Sequence, residues 1–542
     1  MKDQNKTTIY AAATLLLFLP IFSFLNSNYY PIISSEVALI FFICGVVCII
    51  LPVAAFLFGN LVASLIICWL LAFSIETIYV VPHLKTLYAC CLLFAVATYR
   101  QTSNAILVAC SVFIISALAQ KPVFFDRALQ PDSARPLATE ESDKPFILHI
   151  VLDEHLGFSS MQKASASTLE FSKGLLAMFR QEGFQVYENA YSQYWGTENS
   201  IPNLLNLTSS DSVREFLREN GGERNFPLRT EPDYSLDKSE YFQQLSQQGY
   251  NIRIFQSQFM DFCNLKDTQI GSCLTYGGKD IDVISRARLP SRDKLQIIFR
   301  DFIEASKGEG VRRLLAYYNK AADRTPILDL PKWKSREQRG RYALASLEAI
   351  SLLRQELETA ENGEMIFAHL LIPHFPYIFY PDCSVRRDPA SWLWFDKRPD
   401  ENPRWNDKES RAIRYEAYAE QLQCTQHLLL SMIDALKKSG RYPDATVVIH
   451  GDHGSRIYIN EPRIENLNKI TQQDLSDAYS TLFVLKRPGT PYKFERGFVP
   501  LQSLLSDALT LEAGPITEGV YLNEYNTTRL ILLRNLSTQE IF

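Results

Sequence analysis

The first 120 residues carry almost no charge, whereas the rest of the 542-residue chain has the mixed composition of a water-soluble protein. This asymmetry divides the chain into one part suited to lipid and one suited to water. Apolar runs occupy Thr8–Leu25, Val37–Phe58, Leu61–Val81, Leu84–Ala97 and Asn104–Ala119. Each approaches the length at which a helix crosses ~30 Å of hydrocarbon, the fourth being short. A cleaved signal peptide accounts for one such run but not for five. So few charges over so long a stretch also argue against a buried helical core. Lys2 and Lys6 precede the first run, and Arg100 lies between the fourth and fifth. With both places cytoplasmic, five crossings satisfy the positive-inside rule and leave everything after Lys121 outside, although Lys85 falls on the wrong side. The tight hairpin at Gly59-Asn60 leaves four crossings open. The expected organisation is a transmembrane domain of about five helices over 1–120, a linker over 121–143 and an extracytoplasmic catalytic domain over 144–542. Such a chain sits in the plasma (inner) membrane as a multi-pass protein with a periplasmic or extracellular domain.

Cysteine usage bears on the same question. Six of the ten cysteines lie in the apolar runs, and Cys263, Cys273, Cys383 and Cys424 form an even set in the soluble part. An exported domain can pair them, and proximity suggests Cys263–Cys273 and Cys383–Cys424 among three possible pairings. None has C-x-x-C spacing, which excludes a zinc knuckle. The formal net charge of −5 comes with no basic stripe, so nucleic acid is not an expected partner.

In the soluble part, a run rich in residues that suit a doubly buried strand begins at Phe146 and stops at Asp153-Glu154-His155. A second, Ala445–His450, stops at Gly451-Asp452-His453-Gly454, and a third, Met365–Ile372, ends at Pro373-His374-Phe375-Pro376. Arg411–Lys438 has helical periodicity and ends in Lys437-Lys438-Ser439-Gly440, suited to a helix C-terminus. Its aromatic and aliphatic stripe reads as core. Helix followed by buried strand implies right-handed crossovers. The expected fold class is α/β, a mainly parallel central sheet flanked by helices. In such sheets the strand carboxyl ends open onto the ligand crevice.

Transferring or hydrolysing a phosphate or sulfate ester needs an activated oxygen nucleophile and positive charge at the transition state. A divalent metal held by carboxylates and imidazoles supplies both. Asp153, Asp452 and His453 at strand ends are such ligands, and mixed oxygen and nitrogen donors suit Zn or Mn rather than Ca or Mg. Each signal alone is weak, since an Asp after a strand is commonly a turn or cap residue.

Taken together, the segments Ile147–Glu154, Asp444–Gly454 and His369–Tyr377 resemble the alkaline phosphatase superfamily. Within it they resemble the sulfatase-like branch, which includes membrane-anchored phosphoethanolamine transferases and lipoteichoic acid synthases. The resemblance implies an alkaline phosphatase/sulfatase-like fold behind several membrane spans, with a metal bound by Asp153, Asp452, His453 and a nucleophilic Thr. Thr197, in Gly196-Thr197-Glu198-Asn199-Ser200-Ile201-Pro202, matches the T-x-x-S-x-P spacing of the transferases. Ser200 is the rival, because sulfatases place their modified Cys or Ser two residues before a Pro. The sulfatase Arg after that Pro is replaced by Leu204. A helix N-cap role for Thr197 is compatible with catalysis, because helix N-termini favour anions. The further His that two-metal transferases carry after Asp-His-Gly has no counterpart in 455–469, so one metal is expected.

Other residues carry competing readings. Glu154 is a further ligand or a solvated carboxylate, and Arg456 contacts an anionic substrate or is simply solvated. His374 lies where the family contacts the substrate phosphate or leaving group. His149, His369 and His450 read as satisfied core histidines, and His155 as a solvated loop residue. The expected activity moves a phosphoethanolamine- or phosphoglycerol-like group from a membrane phospholipid donor to an envelope glycan or lipid acceptor. It proceeds through covalent Thr197, with His374 assisting the leaving alcohol. The alternatives are a membrane-anchored sulfatase or phosphodiesterase using Ser200, and a catalytically inactive envelope-assembly factor.

Overall fold

The computed structural model describes residues 2–49, 65, 68–72, 74–75, 143–210, 213–219, 233–277, 282–305, 317, 320, 340–387, 407–523 and 530–533. The chain forms two compact units. One comprises Met1–Ala128, Gly222–Thr230 and Lys279–Gln338, and the other comprises Leu129–Gly221, Glu231–Gly278 and Arg339–Phe542.

In the first unit, α1 (Lys2–Ser27) and α2 (Ser35–Cys48) form a hairpin. The Ser34 hydroxyl caps α2 by accepting from Val37 N–H. Among the described residues one helix, over Tyr10–Ser27, is long and apolar enough to cross a membrane. The expected fourth and fifth runs lie outside the described residues, as does most of the third.

The second unit is built on an eight-stranded sheet. Its strands are β1 (Ile147–Leu152), β2 (Gln185–Tyr191), β3 (Asn251–Ser257), β4 (Ser272–Tyr276), β5 (Glu364–Leu370), β6 (Thr446–Gly451), β7 (Phe483–Lys486) and β8 (Lys493–Pro500), in the order β8-β2-β7-β6-β1-β5-β3-β4. Only β7 runs against the others. The expected strands at Phe146, Met365 and Ala445 therefore appear within a few residues of their predicted ends.

Helices α3 (Ala166–Gln181), α4 (Thr197–Leu205), α5 (Glu240–Gln247), α6 (Gly340–Leu357), α7 (Lys408–Lys438), α8 (Gln472–Tyr479) and α9 (Leu501–Leu509) cover the sheet. Ile147 and Val151 of β1 pack in one core with Ile201, Leu204, Tyr241, Leu245 and Leu504, from α4, α5 and α9. Leu148, Ile150 and Leu152 point to the opposite face and are equally buried, so the sheet is covered on both sides. Disulfides join Cys263 to Cys273 and Cys383 to Cys424, the pairings that proximity suggests.

Central β1 lies between β5 and β6, with Val151 in register with both His369 and His450. The register brings the polar ends of all three strands to one edge of the sheet, the edge at which α/β sheets bind ligands.

Candidate active site

Each of the three strand ends contributes a buried side chain able to ligate a metal. Asp153 leaves β1, His369 is the penultimate residue of β5, and Asp452-His453 follow β6; all four side chains are at most 1% exposed. Thr197 reaches them as the first residue of α4, whose N-cap is Gly196. Thr197 thus follows the N-cap rather than forming it. The helix N-terminus favours an anion beside the hydroxyl. Thr197 Oγ1 lies 3.1 Å from His453 Nε2 and 3.5 Å from Asp153 Oδ2.

The tautomer of His453 follows from its other nitrogen. Nδ1–H donates to the Gly454 carbonyl at 2.9 Å, so Nε2 turns a lone pair toward the carboxylates, 3.2 Å from Asp452 Oδ2 and 3.9 Å from Asp153 Oδ1. Burial lowers the His453 pKa and favours this neutral form. Asp153 Oδ1, Asp452 Oδ2 and both ring nitrogens of His369 are buried without hydrogen-bond partners. Lone pairs facing one another in a desolvated space are repulsive, and leaving each unpaired costs about 1–3 kcal/mol. A divalent cation removes both penalties, so the donor set fits a metal. Ligand atoms of Asp153, His369 and Asp452 lie within 4.8 Å of one another, and so do those of Asp153, Glu154 and His374.

His369 is the residue that the sequence reading missed. It is buried as a core histidine would be, but its nitrogens are not satisfied, and Nε2 lies 3.4 Å from Asp153 Oδ2. The available signal was its place at a strand end, five residues before His374. His155 differs in the opposite direction: it is buried, not solvated, and bonds the Leu156 carbonyl at 3.0 Å, while burial lowers its pKa to about 4.

Glu154 is also buried, and Arg456 is only partly exposed. Both adopt left-handed backbone, with φ of 63° and 55°, a conformation that strains residues with a side chain. Together they form a strained pair, Arg456 Nε lying 3.2 Å from Glu154 Oε1. Burial pushes the Glu154 pKa up to about 8 against the pull of Arg456, while Glu154 raises the guanidinium further above its ordinary range despite burial. Burial likewise opposes ionisation of Asp153, but His374, His369 and His453 outweigh it and hold the carboxyl below its usual range. Arg456 Nη2 reaches Thr197 Oγ1 at 3.4 Å and His453 Nε2 at 2.7 Å. His374 Nε2 lies 3.3 Å from Glu154 Oε1. The His374 and Arg456 side chains are 16% and 23% exposed, so they mark the side from which a substrate enters.

Ser200 is used otherwise. Its hydroxyl donates to the Asp452 carbonyl at 2.6 Å and shares a 2.9 Å bond with Ser192. It ties α4 to the Asp452 strand end.

Helix α7 and the neighbouring turns fix this arrangement. Gln421 Nε2 donates to the carbonyls of Pro373 and His374, and its Oε1 accepts from Ile378 and Phe379 N–H. Tyr418 OH donates to the Glu154 carbonyl at 2.7 Å and accepts from Leu156 N–H at 2.9 Å. The stripe that reads as core is buried, as expected, but its polar tips hold the loops carrying Glu154 and His374. Arg411 donates to Asp474, Asp477 and the Ile457 carbonyl, clamping the segment after Arg456. Gly454 is required by close approach: a Cβ there would lie 2.2 Å from the Asp477 carbonyl oxygen.

A mainly parallel α/β sheet with carboxylates, imidazoles and a threonine converging at its strand ends defines an enzyme that acts on phosphate or sulfate esters. Residues 146–489 match the sulfatase family, and the chain belongs to that family. This places it in the sulfatase-like branch of the alkaline phosphatase superfamily. No curated protein matches the chain in sequence. Among solved structures it is similar to the C-terminal periplasmic domain of EcEptC from Escherichia coli in complex with Zn, at 14% identity and TM-score 0.38, covering 73% of this chain and 94% of that one. It is also similar to the phosphonate monoester hydrolase of Agrobacterium radiobacter, at 13% identity and TM-score 0.36, covering 68% and 74%. A third is the putative sulfatase yidJ from Bacteroides fragilis, at 14% identity and TM-score 0.37, covering 69% and 75%.

Proposed function

We propose that this enzyme transfers a phosphoryl-linked group, phosphoethanolamine- or phosphoglycerol-like, from a membrane phospholipid to a cell-envelope glycan or lipid. The observation that carries this reading is Thr197, whose hydroxyl lies 3.1 Å from His453 Nε2 and 3.5 Å from Asp153 Oδ2, while the Ser200 hydroxyl is committed to Asp452 and Ser192. Asp153, Asp452, His453 and Thr197 would hold one divalent metal, Zn or Mn by the mixed donor set, with His369 in reach. When bound, such a metal stabilises alkoxide character on a hydroxyl and charge on a phosphoryl oxygen.

The residues divide the remaining work. Thr197 Oγ1 forms the new bond to phosphorus and releases its proton to water. The bond from phosphorus to the lipid alcohol breaks, and the departing oxygen takes a proton from His374 at the open side of the site. Arg456, fixed by Glu154 and beside Thr197, donates to the phosphoryl oxygens as charge develops. The acceptor hydroxyl then returns a proton to His374 as its oxygen bonds phosphorus, the bond from phosphorus to Thr197 Oγ1 breaks, and the freed oxygen takes a proton from water. Nearby lipid donors favour transfer over hydrolysis, and a membrane anchor with an extracytoplasmic catalytic domain provides them. The two disulfides support that placement, because such bonds persist in oxidising compartments.

The test is intact-mass and peptide analysis of the full-length protein incubated with phospholipid vesicles and no acceptor. A phosphoethanolamine or phosphoglycerol adduct on Thr197 is expected. A modification on Ser200, or turnover of aryl sulfates alone, would replace this reading with a sulfatase.

A further inference from the structure

Helix α4 is nine residues long, and a helix of that length is marginal by itself in water, so its placement depends on what holds it. Burial of Ile201, Leu204 and Leu205 presses it onto the sheet, but apolar burial is non-directional and tolerates small shifts. The Ser200 hydroxyl ties it to the Asp452 carbonyl at one point, which leaves it free to pivot. Hydrogen bonds at both ends remove that freedom, and one distant segment, 514–522, supplies them. Before the helix, the Gln193 carbonyl accepts from Tyr521 N–H at 2.6 Å. After it, the Leu207 carbonyl accepts from Gly514 N–H at 3.0 Å, and Ser209 N–H donates to the Pro515 carbonyl at 3.1 Å.

The two ends are also joined to each other. The Gln193 side-chain amide donates to the Thr517 carbonyl, Thr517 N–H donates to Ser209 Oγ at 3.4 Å, and the Ser209 hydroxyl donates to Gln193 Oε1. This is a closed ring of three bonds around a fully buried amide. The neighbouring Tyr194 ring stacks on Tyr521, with centroids 5.2 Å apart and planes 16° apart. Val520 and Leu522 pack in one cluster with Tyr191, Tyr458 and Tyr479, and Trp195 is partly buried against it. The segment therefore braces the chain on both sides of α4 and also Tyr458, two residues past Arg456. It falls outside residues 146–489, so this support comes from a part of the chain that the sulfatase match does not include.

We infer that Gln193 is a positioning residue for Thr197, and that the 514–522 segment holds the nucleophile in place through it. The inference rests on the proposed reading that Thr197 is the nucleophile. Three residues separate Gln193 from Thr197, the last of them the N-cap Gly196, so a shift at Gln193 passes directly to the hydroxyl that lies 3.1 Å from His453 Nε2. An attacking group works only from near its reactive position, and a misplacement of about 1 Å costs about 100-fold in rate.

Single-turnover kinetics on the full chain test this with Gln193→Glu, Ser209→Ala and Ser209→Thr. Gln193→Glu keeps the size of the side chain but turns a second acceptor toward the Thr517 carbonyl. Ser209→Ala removes one donor from the ring, and Ser209→Thr keeps it. Adduct formation on Thr197 is followed by intact-mass and peptide analysis on vesicles of phosphatidylethanolamine and phosphatidylglycerol without acceptor. The rate is read against lipid concentration below the unfolding temperature of each variant, and Zn affinity is measured by chelator competition. The maximal rate should fall about 10–100-fold in Gln193→Glu and roughly 3–10-fold in Ser209→Ala, with half-saturating lipid and Zn affinity unchanged. Ser209→Thr should react at the native rate. A native maximal rate in Gln193→Glu overturns the inference and leaves Thr197 as the nucleophile; if that variant does not fold, a native rate in Ser209→Ala does the same. Loss of Zn affinity in step with the rate, or Ser209→Thr as slow as Ser209→Ala, also overturns it, because either marks a purely structural role. An adduct on Ser200 in the unsubstituted chain removes the proposed nucleophile, and the inference with it.

Discussion

Two buried histidine clusters lie on the same strands and differ in one respect. Between His149, in the middle of β1, and His450, the penultimate residue of β6, the contacts form a chain: Tyr241 OH bonds His149 Nδ1 at 2.7 Å, His149 Nε2 bonds His450 Nε2 at 2.7 Å, and His450 Nδ1 bonds the Gly451 carbonyl at 2.6 Å. One set of tautomers satisfies the whole chain. His450 donates to Gly451, His149 donates to His450 and Tyr241 donates to His149. Burial lowers the His450 pKa to about 4 and takes that of His149 well below its ordinary value, which keeps both rings neutral. At the carboxyl ends of the strands, His369, Asp153 and Asp452 are just as buried, but their facing atoms have no partners. Burial is the same in both places and hydrogen-bond closure is not. An unsatisfied cluster of this kind is suited to a cation, whereas a satisfied one belongs to the scaffold.

Substitutions separate the two. Thr197→Ala should lower turnover by about 10⁴-fold or more with no change in Tm, measured on phospholipid substrate and by thermal unfolding; retained activity would remove Thr197 from the chemistry. Arg456→Ala is expected to cost about 10²–10³-fold in kcat/KM, as for loss of a charge-stabilising donor. Alanine keeps the left-handed backbone and removes the cation facing buried Glu154, so Tm should fall as well; an unchanged kcat/KM at a temperature where the variant is folded would assign Arg456 to the scaffold. His369→Ala should weaken metal affinity by roughly 10–100-fold, read by competition with a chromophoric chelator, while leaving Tm of the metal-free protein unchanged or raised. Were affinity unaltered, His369 would join the scaffold despite its open nitrogens. Tyr241→Phe should have the smallest effect on function. It leaves His149 Nδ1 without its donor and costs about 1–3 kcal/mol in denaturant unfolding, with metal affinity and turnover unchanged. A loss of metal binding there would join the two clusters into one functional unit.

The same contrast shows how far the sequence reaches. Asp153, Asp452 and His453 were legible because each follows an apolar run whose end is visible in the order of residues. Thr197 came from its spacing to Pro202, and the disulfides from proximity. The three histidines His149, His369 and His450 look alike in the sequence, each within an apolar strand, and the sequence reading treats them alike. Their difference depends on the register of β1 against β5 and β6 and on the approach of α5, neither of which is local.

By itself, then, the order of residues determined the division into a lipid-suited and a water-suited part, the α/β class and the strand ends at which the candidate ligands gather. These properties rest on periodicity and composition, which act over a few residues. The tertiary structure alone decided which buried polar atoms find partners. It separated His369 from His149, gave Ser200 a tether, set Thr197 beside Asp153 and His453, and paired Glu154 with Arg456. It also joined Gln193 to Thr517, 324 residues away. Hydrogen-bond satisfaction depends on distances of a few tenths of an ångström between segments far apart in the chain, and only the packed fold sets them.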